Sequence, residues 1–141
     1  MGEVETNGNR ISIPSSLDYI ATVDEFLEDW LRAKDIPEDI IADLAIAVTE
    51  LVNNAIKHGN RKDVTKKVTV ILNYSDGEAR ASVTDQGPGF NPDNIPSPVA
   101  EENLLKEIGR GIFIVRSLMD DVRFTFPPEG GTTVTVVKRI A

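Results

Sequence analysis

A chain of 141 residues has the size of one domain and can bury a substantial core. Its 40% apolar and 27% charged content is ordinary for a soluble globular protein, while a formal net charge of −8 argues against general nucleic-acid binding and against attraction to an anionic membrane. Without cysteine there is no disulfide framework or thiolate metal site, no apolar run reaches the length of a membrane span, and the polar segment Met1 to Asn9 lacks a signal-peptide core, so the expected location is cytoplasmic.

Residues 1–9 read as a flexible N-terminal tail ahead of a single domain, 10–141. Arg10-Ile11-Ser12-Ile13 alternates and meets Pro14, which suits a short edge strand. Ser15 or Ser16 can cap a helix with Leu17, Ile20, Val23, Leu27, Trp30 and Leu31 on one side, ending near Lys34. Pro37 then opens a second helix whose apolar stripe is Ile41, Leu44, Val48, Leu51, Val52 and Ala55. At about 100° per residue, Glu50, Asn54 and Lys57 fall within roughly 60° of one another, with His58 at their edge. A carboxylate and a carboxamide one turn apart on a core's rim suit a hard cation, or a proton acceptor beside a phosphate. The same pattern also suits the solvated face of an ordinary amphipathic helix. Gly59 and Asn60 stop the helix.

Val68 to Tyr74 alternates, and the Ser75-Asp76-Gly77 turn leads into Ala79 to Asp85, which predicts a hairpin. Ala79, Ala81, Val83 and Asp85 share a face, so Asp85 should point at the core and need a donor. An adenine exocyclic amine is one candidate, and Gly87 and Gly89 would let the backbone approach a flat ring; an ordinary Asp-Gly turn is the alternative. Residues 90–109 carry three prolines and no strong period, as a functional lid does. Gly109-Arg110-Gly111 opens a helix running to about Met119, exposing N–H groups and a cation to an anion. A last hairpin pairs Asp121 to Phe126 with Thr132 to Arg139. There Thr132, Val134 and Val136 share the core face, so the Thr132 hydroxyl should look inward; the alternative is that threonine stands there for strand propensity alone. Two helices, a hairpin, a helix and a hairpin predict an α+β fold: a two-layer sandwich with helices on one face of a mostly antiparallel sheet. No P-loop, His-Arg-Asp loop or Gly-x-Ser-x-Gly elbow is present, and a single histidine leaves no His-based metal site.

Glu50…Asn54, Asp85-x-Gly87-x-Gly89, Gly109-x-Gly111 and Gly131-Thr132, in that order, resemble the GHKL ATP-binding superfamily, with its histidine-kinase-like ATPase fold. Within it, Asn53 to Gly59 and Gly109 to Asp120 look most like the bacterial anti-sigma factor serine/threonine kinases. The resemblance implies ATP and Mg²⁺ as cofactors, with Glu50 activating the attacking hydroxyl and Asn54 ligating the metal. It implies that Asp85, helped by Thr132, takes the adenine amine, that Gly87 and Gly89 line the base, and that Gly109, Arg110 and Gly111 border the phosphates. His58 falls inside the nucleotide motif. The implied activity is phosphorylation of an anti-sigma antagonist together with sequestration of an RNA polymerase sigma factor, by a homodimer. In some members an arginine stands just before the first lid-end glycine. Here the run is Lys106-Glu107-Ile108, leaving Lys106 or Arg110 as the cation. The alternative is a non-catalytic, ATP-gated binding module of the same fold. The catalytic domain of a histidine kinase fits less well, because the chain has no phosphoacceptor dimerisation helix.

Overall fold

In the computed structural model, residues 3–87, 110–128 and 130–140 are described; the predicted lid, Gly89, Lys106 and Gly109 lie outside them. The fold is laid out by its central hairpin. β3 (Lys67–Ser75) and β4 (Glu78–Thr84) pair antiparallel from Ser75↔Glu78 to Thr69↔Thr84. Asp76 and Gly77 take φ of 53° and 71°, the two positive values that a right-twisted two-residue hairpin turn needs. β5 (Asp121–Thr125) and β6 (Thr133–Arg139) form the second predicted hairpin, and β6 pairs with β4.

β2 (Arg10–Pro14) pairs with β3, but it is not an edge strand. β1 (Glu5–Asn7) pairs outside it through a turn at Gly8, with φ 59°. Residues 5–7, expected to belong to a frayed tail, are therefore ordered by ladder bonds that local sequence does not reveal. The sheet has the order β1-β2-β3-β4-β6-β5, and every pairing is antiparallel.

Period-two alternation splits the sheet into two chemistries. Val68, Val70, Leu72, Ala79, Ala81, Val83 and Val136 are buried under the helices. On the other face hydroxyls pair across strands: Ser12 with Thr69 (2.8 Å), Ser82 with Thr135 (3.0 Å) and Thr84 with Thr133 (2.9 Å).

The helical layer is α1 (Ile20–Arg32), α2 (Glu38–Asn54) and α3 (described over 110–118). Ser16 caps a 3₁₀ turn, Leu17–Tyr19, that leads into α1, its Oγ accepting from the Asp18 N–H. Ser15 is instead buried. Val23, Leu27 and Leu31 of α1 meet Ile41, Leu44, Val48, Leu51 and Val52 of α2 in one core with the sheet, and Val115 and Met119 close it from α3 and its end. Each such side chain contributes about 1.5–3 kcal/mol when fully buried. Among the described residues no helix is long and apolar enough to cross a membrane.

α2 does not simply stop. It widens into a π turn, Ala55–Gly59, in which the Asn60 N–H donates to the Ala55 carbonyl five residues back at 2.8 Å. An i→i+5 turn advances each residue by less than an α-helix does. Lys57 and His58 therefore leave the angular positions that uniform 100° steps assign them, while Glu50 and Asn54 keep theirs.

Candidate functional site

The predicted residues that the structure describes gather along the C-terminal half of α2. Glu50 and Asn54 are half-buried, one turn apart, and the first described residues of α3 lie over them. Gly111, the second described residue of α3, is buried: a methyl group there would lie 3.0 Å from Glu50 Oε2 and 3.1 Å from Asn54 Nδ2. Sequence separates these groups by more than fifty positions, and the fold brings a carboxylate, a carboxamide and the backbone of α3 together. Arg110, beside Gly111, is exposed. Asn54 Nδ2 is buried with no hydrogen-bond partner among the described residues. An unsatisfied buried donor costs about 1–3 kcal/mol, which a ligand oxygen would relieve.

One turn further, the π turn carries Gly59 onto Asp85, the residue after β4. Asp85 is 7% exposed and points at the helices, as alternation predicts. Its Oδ1 accepts from the backbone N–H of Gly87 (3.0 Å) and of Thr132 (3.2 Å). Its Oδ2 lies against Gly59, where an added methyl group would collide with it. A methyl at Gly87 would strike the Gly59 carbonyl, and one at Gly131, where φ is 87°, would strike the Asp85 carbonyl. Three glycines thus let three chain segments close to backbone contact around one carboxylate. Burial pushes the Asp85 pKa above its ordinary value, against the opposing pull of the two backbone donors and the Lys66 charge.

Thr132 differs from expectation in how it takes part. It precedes β6, and its backbone touches Asp85 twice: its N–H donates to Oδ1, and its carbonyl accepts from the Asp85 N–H at 3.0 Å. His58 lies half-buried in the π turn with Nε2 shielded from solvent. Two residues were not anticipated. Asn60 is 1% exposed, and its carboxamide bonds Ser15 Oγ, the Lys67 carbonyl and the Gln86 N–H. Gln86 returns the clamp through Oε1, which accepts from the Lys67 N–H at 2.7 Å. A polar residue after a glycine at a helix end reads as a stop signal, which hides a buried role. Beside this corner lies an open pocket of about 570 Å³ bordered by Gly59, Arg61, Lys66, Gly87 and Gly130.

The groups present fit a magnesium-bound nucleotide. Magnesium bound mostly through phosphates and water needs few protein oxygens, and the described residues hold no cluster of three acidic or imidazole ligands.

A family model described as the histidine kinase-like ATPase domain matches residues 13–138. The chain is 30% identical over 138 residues to the serine-protein kinase RsbW of Staphylococcus epidermidis, spanning 93% of this chain and 86% of that protein. It is 29% identical, with the same coverage, to the serine-protein kinase RsbW of Staphylococcus aureus. Among solved structures it is similar to the RsbU and RsbW domains of Rv1364c from Mycobacterium tuberculosis, with a TM-score of 0.67 and 26% identity over 92% of this chain. The match spans only 31% of that longer protein. The histidine kinase domain of the Erythrobacter litoralis blue-light activated kinase EL346 shares the fold, with a TM-score of 0.56 over 91% of this chain and 62% of that one. The gathered motifs, the antiparallel sheet under its helices and a match over nearly the whole length agree: the chain belongs to the histidine kinase-like ATPase domain family.

Proposed function

We propose that the protein is an ATP-dependent protein serine/threonine kinase that acts as an anti-sigma factor. In this reading it phosphorylates an antagonist protein and holds a sigma factor as a homodimer. The observation that carries the reading is the meeting of Glu50, Asn54 and Gly111 beside Asp85 in its glycine-walled corner. A nucleotide-binding fold needs no carboxylate next to Asn54 for binding alone, whereas a kinase needs a proton acceptor there.

The chain's own residues divide the work. Asp85 Oδ1 is committed to two backbone donors, which leaves Oδ2 to receive the amine of adenine. Gly59, Gly87 and Gly131 keep that corner free of side chains, and burial excludes the water that would compete for the carboxylate. Asn54 would hold Mg²⁺ through its carbonyl oxygen and give its unsatisfied Nδ2 to a phosphate oxygen. Bound Mg-ATP supplies the transferable phosphoryl group and the counter-charge for it. Glu50 accepts the proton of the incoming hydroxyl and orients that hydroxyl. Gly111, without a side chain, lets the backbone of α3 approach Glu50 and Asn54 closely. Arg110 and Lys106 are the cations available for the terminal phosphate.

The test separates Glu50 from Asn54. Glu50→Gln keeps the shape and loses the base. Mg-ATP affinity, read by titration calorimetry, should persist while transfer to the antagonist falls by roughly 10²–10⁴-fold. Asn54→Ala should weaken the magnesium-dependent part of binding, with transfer falling alongside. Loss of nucleotide binding in a folded Glu50→Gln protein, or transfer that survives in it, would sink the assignment. ATP binding without any transfer by the parent protein would favour the non-catalytic module.

A further inference from the structure

We propose that Asn60 is a positioning residue that sets which purine the site accepts, by holding the Asp85–Gly87 backbone in the arrangement that presents the Asp85 carboxylate. The inference rests on the reading of Asp85 as the base-recognising group.

A carboxamide offers two N–H donors and an acceptor oxygen, and Asn60 uses all of them on different segments. Nδ2 donates to Ser15 Oγ (2.7 Å), at the end of β2, and to the Lys67 carbonyl (2.9 Å), at the start of β3. Oδ1 accepts from the Gln86 N–H at 2.7 Å. Ser15 Oγ in turn donates to the Lys66 carbonyl at 2.7 Å. One side chain, 1% exposed, therefore joins the ends of β2 and α2, the start of β3 and the turn after β4.

The bond to Gln86 gives this junction more than a structural role. Gln86 stands between Asp85 and Gly87 with its side chain exposed, and the peptide that carries its N–H packs on Gly131 through the Asp85 carbonyl. Its N–H is tied to Asn60, and its side chain to the Lys67 N–H. The Gly87 N–H that orients Asp85 Oδ1 is one peptide further along. Release of the Gln86 N–H removes a restraint on that backbone and loosens the Gly87 donor, leaving the Thr132 N–H alone to align the carboxylate. A ligand amine reads the carboxylate's direction, whereas a 6-oxo purine offers a carbonyl and gains nothing from it. Asn60 should therefore govern discrimination between bases, beyond its contribution to stability.

The experiment measures Kd for Mg-ATP and Mg-ITP, with Tm, in the parent and in Asn60→Ala, Asn60→Asp and Ser15→Ala. Asn60→Asp keeps an acceptor for the Gln86 N–H and loses both donated bonds. Asn60→Ala is expected to shrink the ITP-to-ATP Kd ratio by about tenfold, the range of one hydrogen bond lost from a selective contact. Asn60→Asp should lower Tm yet hold the ratio within about fivefold of the parent's. A ratio for Asn60→Ala that stays within that margin, or one for Asn60→Asp that leaves it, overturns the proposal. Ser15→Ala leaves the Gln86 N–H bond in place and should hold the ratio within about fivefold of the parent's; should Asn60→Ala not fold, Asn60→Leu keeps the volume, removes the same acceptor and should shrink the ratio about tenfold, and a ratio within about fivefold overturns the proposal. A parent that binds ATP and ITP alike defeats the base-recognition reading itself, and that result is visible before any variant is compared.

Discussion

An ionised carboxylate at 7% exposure carries a desolvation cost that two backbone donors only partly offset, which is why Asp85 has a raised pKa. A carboxyl raised above its unfolded value stabilises the fold while protonated, and that contribution is lost as pH rises through the folded pKa. The nucleotide-free protein therefore becomes less stable as pH rises through that pKa. Asp85→Asn keeps an oxygen for the Gly87 and Thr132 N–H groups and removes the charge. The apo variant should match or exceed the parent in Tm at pH 7, with its advantage shrinking on acidification. Its ATP affinity should fall by about 10–100-fold, the loss of one charged hydrogen bond of roughly 1.5–3 kcal/mol. Parallel thermal melts across pH and nucleotide titrations check both halves. An apo variant clearly less stable than the parent at pH 7 would mean that the charge is held without cost.

At the scale of elements, α1 carries its own titration. Asp24 and Glu28 face each other one turn apart, and Glu28 pairs with Arg32 at 2.9 Å, which also reaches Glu38 at 2.8 Å. Burial, then the hydrogen bond and repulsion from Glu28, push Asp24 up to about 6, while the bond with Asp24 holds Glu28 below its ordinary value. The pair thus shares a proton kept on Asp24, away from the arginine. Because the Asp24 pKa is raised, its stabilising contribution is present at acid pH and disappears as pH rises through about 6. Asp24→Asn should flatten the decline in Tm between about pH 5 and pH 7 and leave nucleotide affinity unchanged. A decline of equal steepness in the variant would place the titration elsewhere. On α2 the apolar stripe was legible because burial selects residues every three or four positions. The π turn was not, since nothing in Ala55 to His58 breaks helical propensity and Gly59 reads as an ordinary helix stop. The first hairpin was legible for the opposite reason: Asp76-Gly77 admits the required backbone almost by itself.

For the whole molecule, ligand binding and folding are linked, because the site draws together α2, α3 and the ends of β4 and β6. A nucleotide at a hundred times its Kd stabilises by about 2.7 kcal/mol, which should raise Tm by roughly 5–10 °C in a chain of this length. Mg-ATP should give this shift, GTP much less, and at the same concentration Mg-ATP should shift Asp85→Asn by about half as much or less. Equal shifts with ATP and GTP would remove the basis for assigning Asp85 to the base. The same long-range assembly decides what could be read in advance. Glu50, Asn54, Asp85 and Gly111 were legible because each carries chemistry out of place for its local pattern. Asn60 and the backbone role of Thr132 were not, because each depends on a partner dozens of residues away, such as Ser15 for Asn60, and β1, which pairs with the neighbouring β2, was missed because Glu5 to Asn7 carries no apolar alternation. The Thr132 hydroxyl was inferred from strand alternation, and the contacts the structure gives Thr132 with Asp85 run through its backbone.

Gly59, Gly87 and Gly131 press against one another's segments so tightly that no side chain fits at any of them. For any engineered change of ligand, these three positions are a bottleneck. A core residue can be exchanged for another of similar bulk, but none of the three glycines can be replaced alone, since the obstacle at Gly87 is the Gly59 carbonyl and at Gly131 the Asp85 carbonyl, which no substitution can trim. If the proposed base recognition holds, a new base preference would have to be built around the glycines, at residues like Asn60.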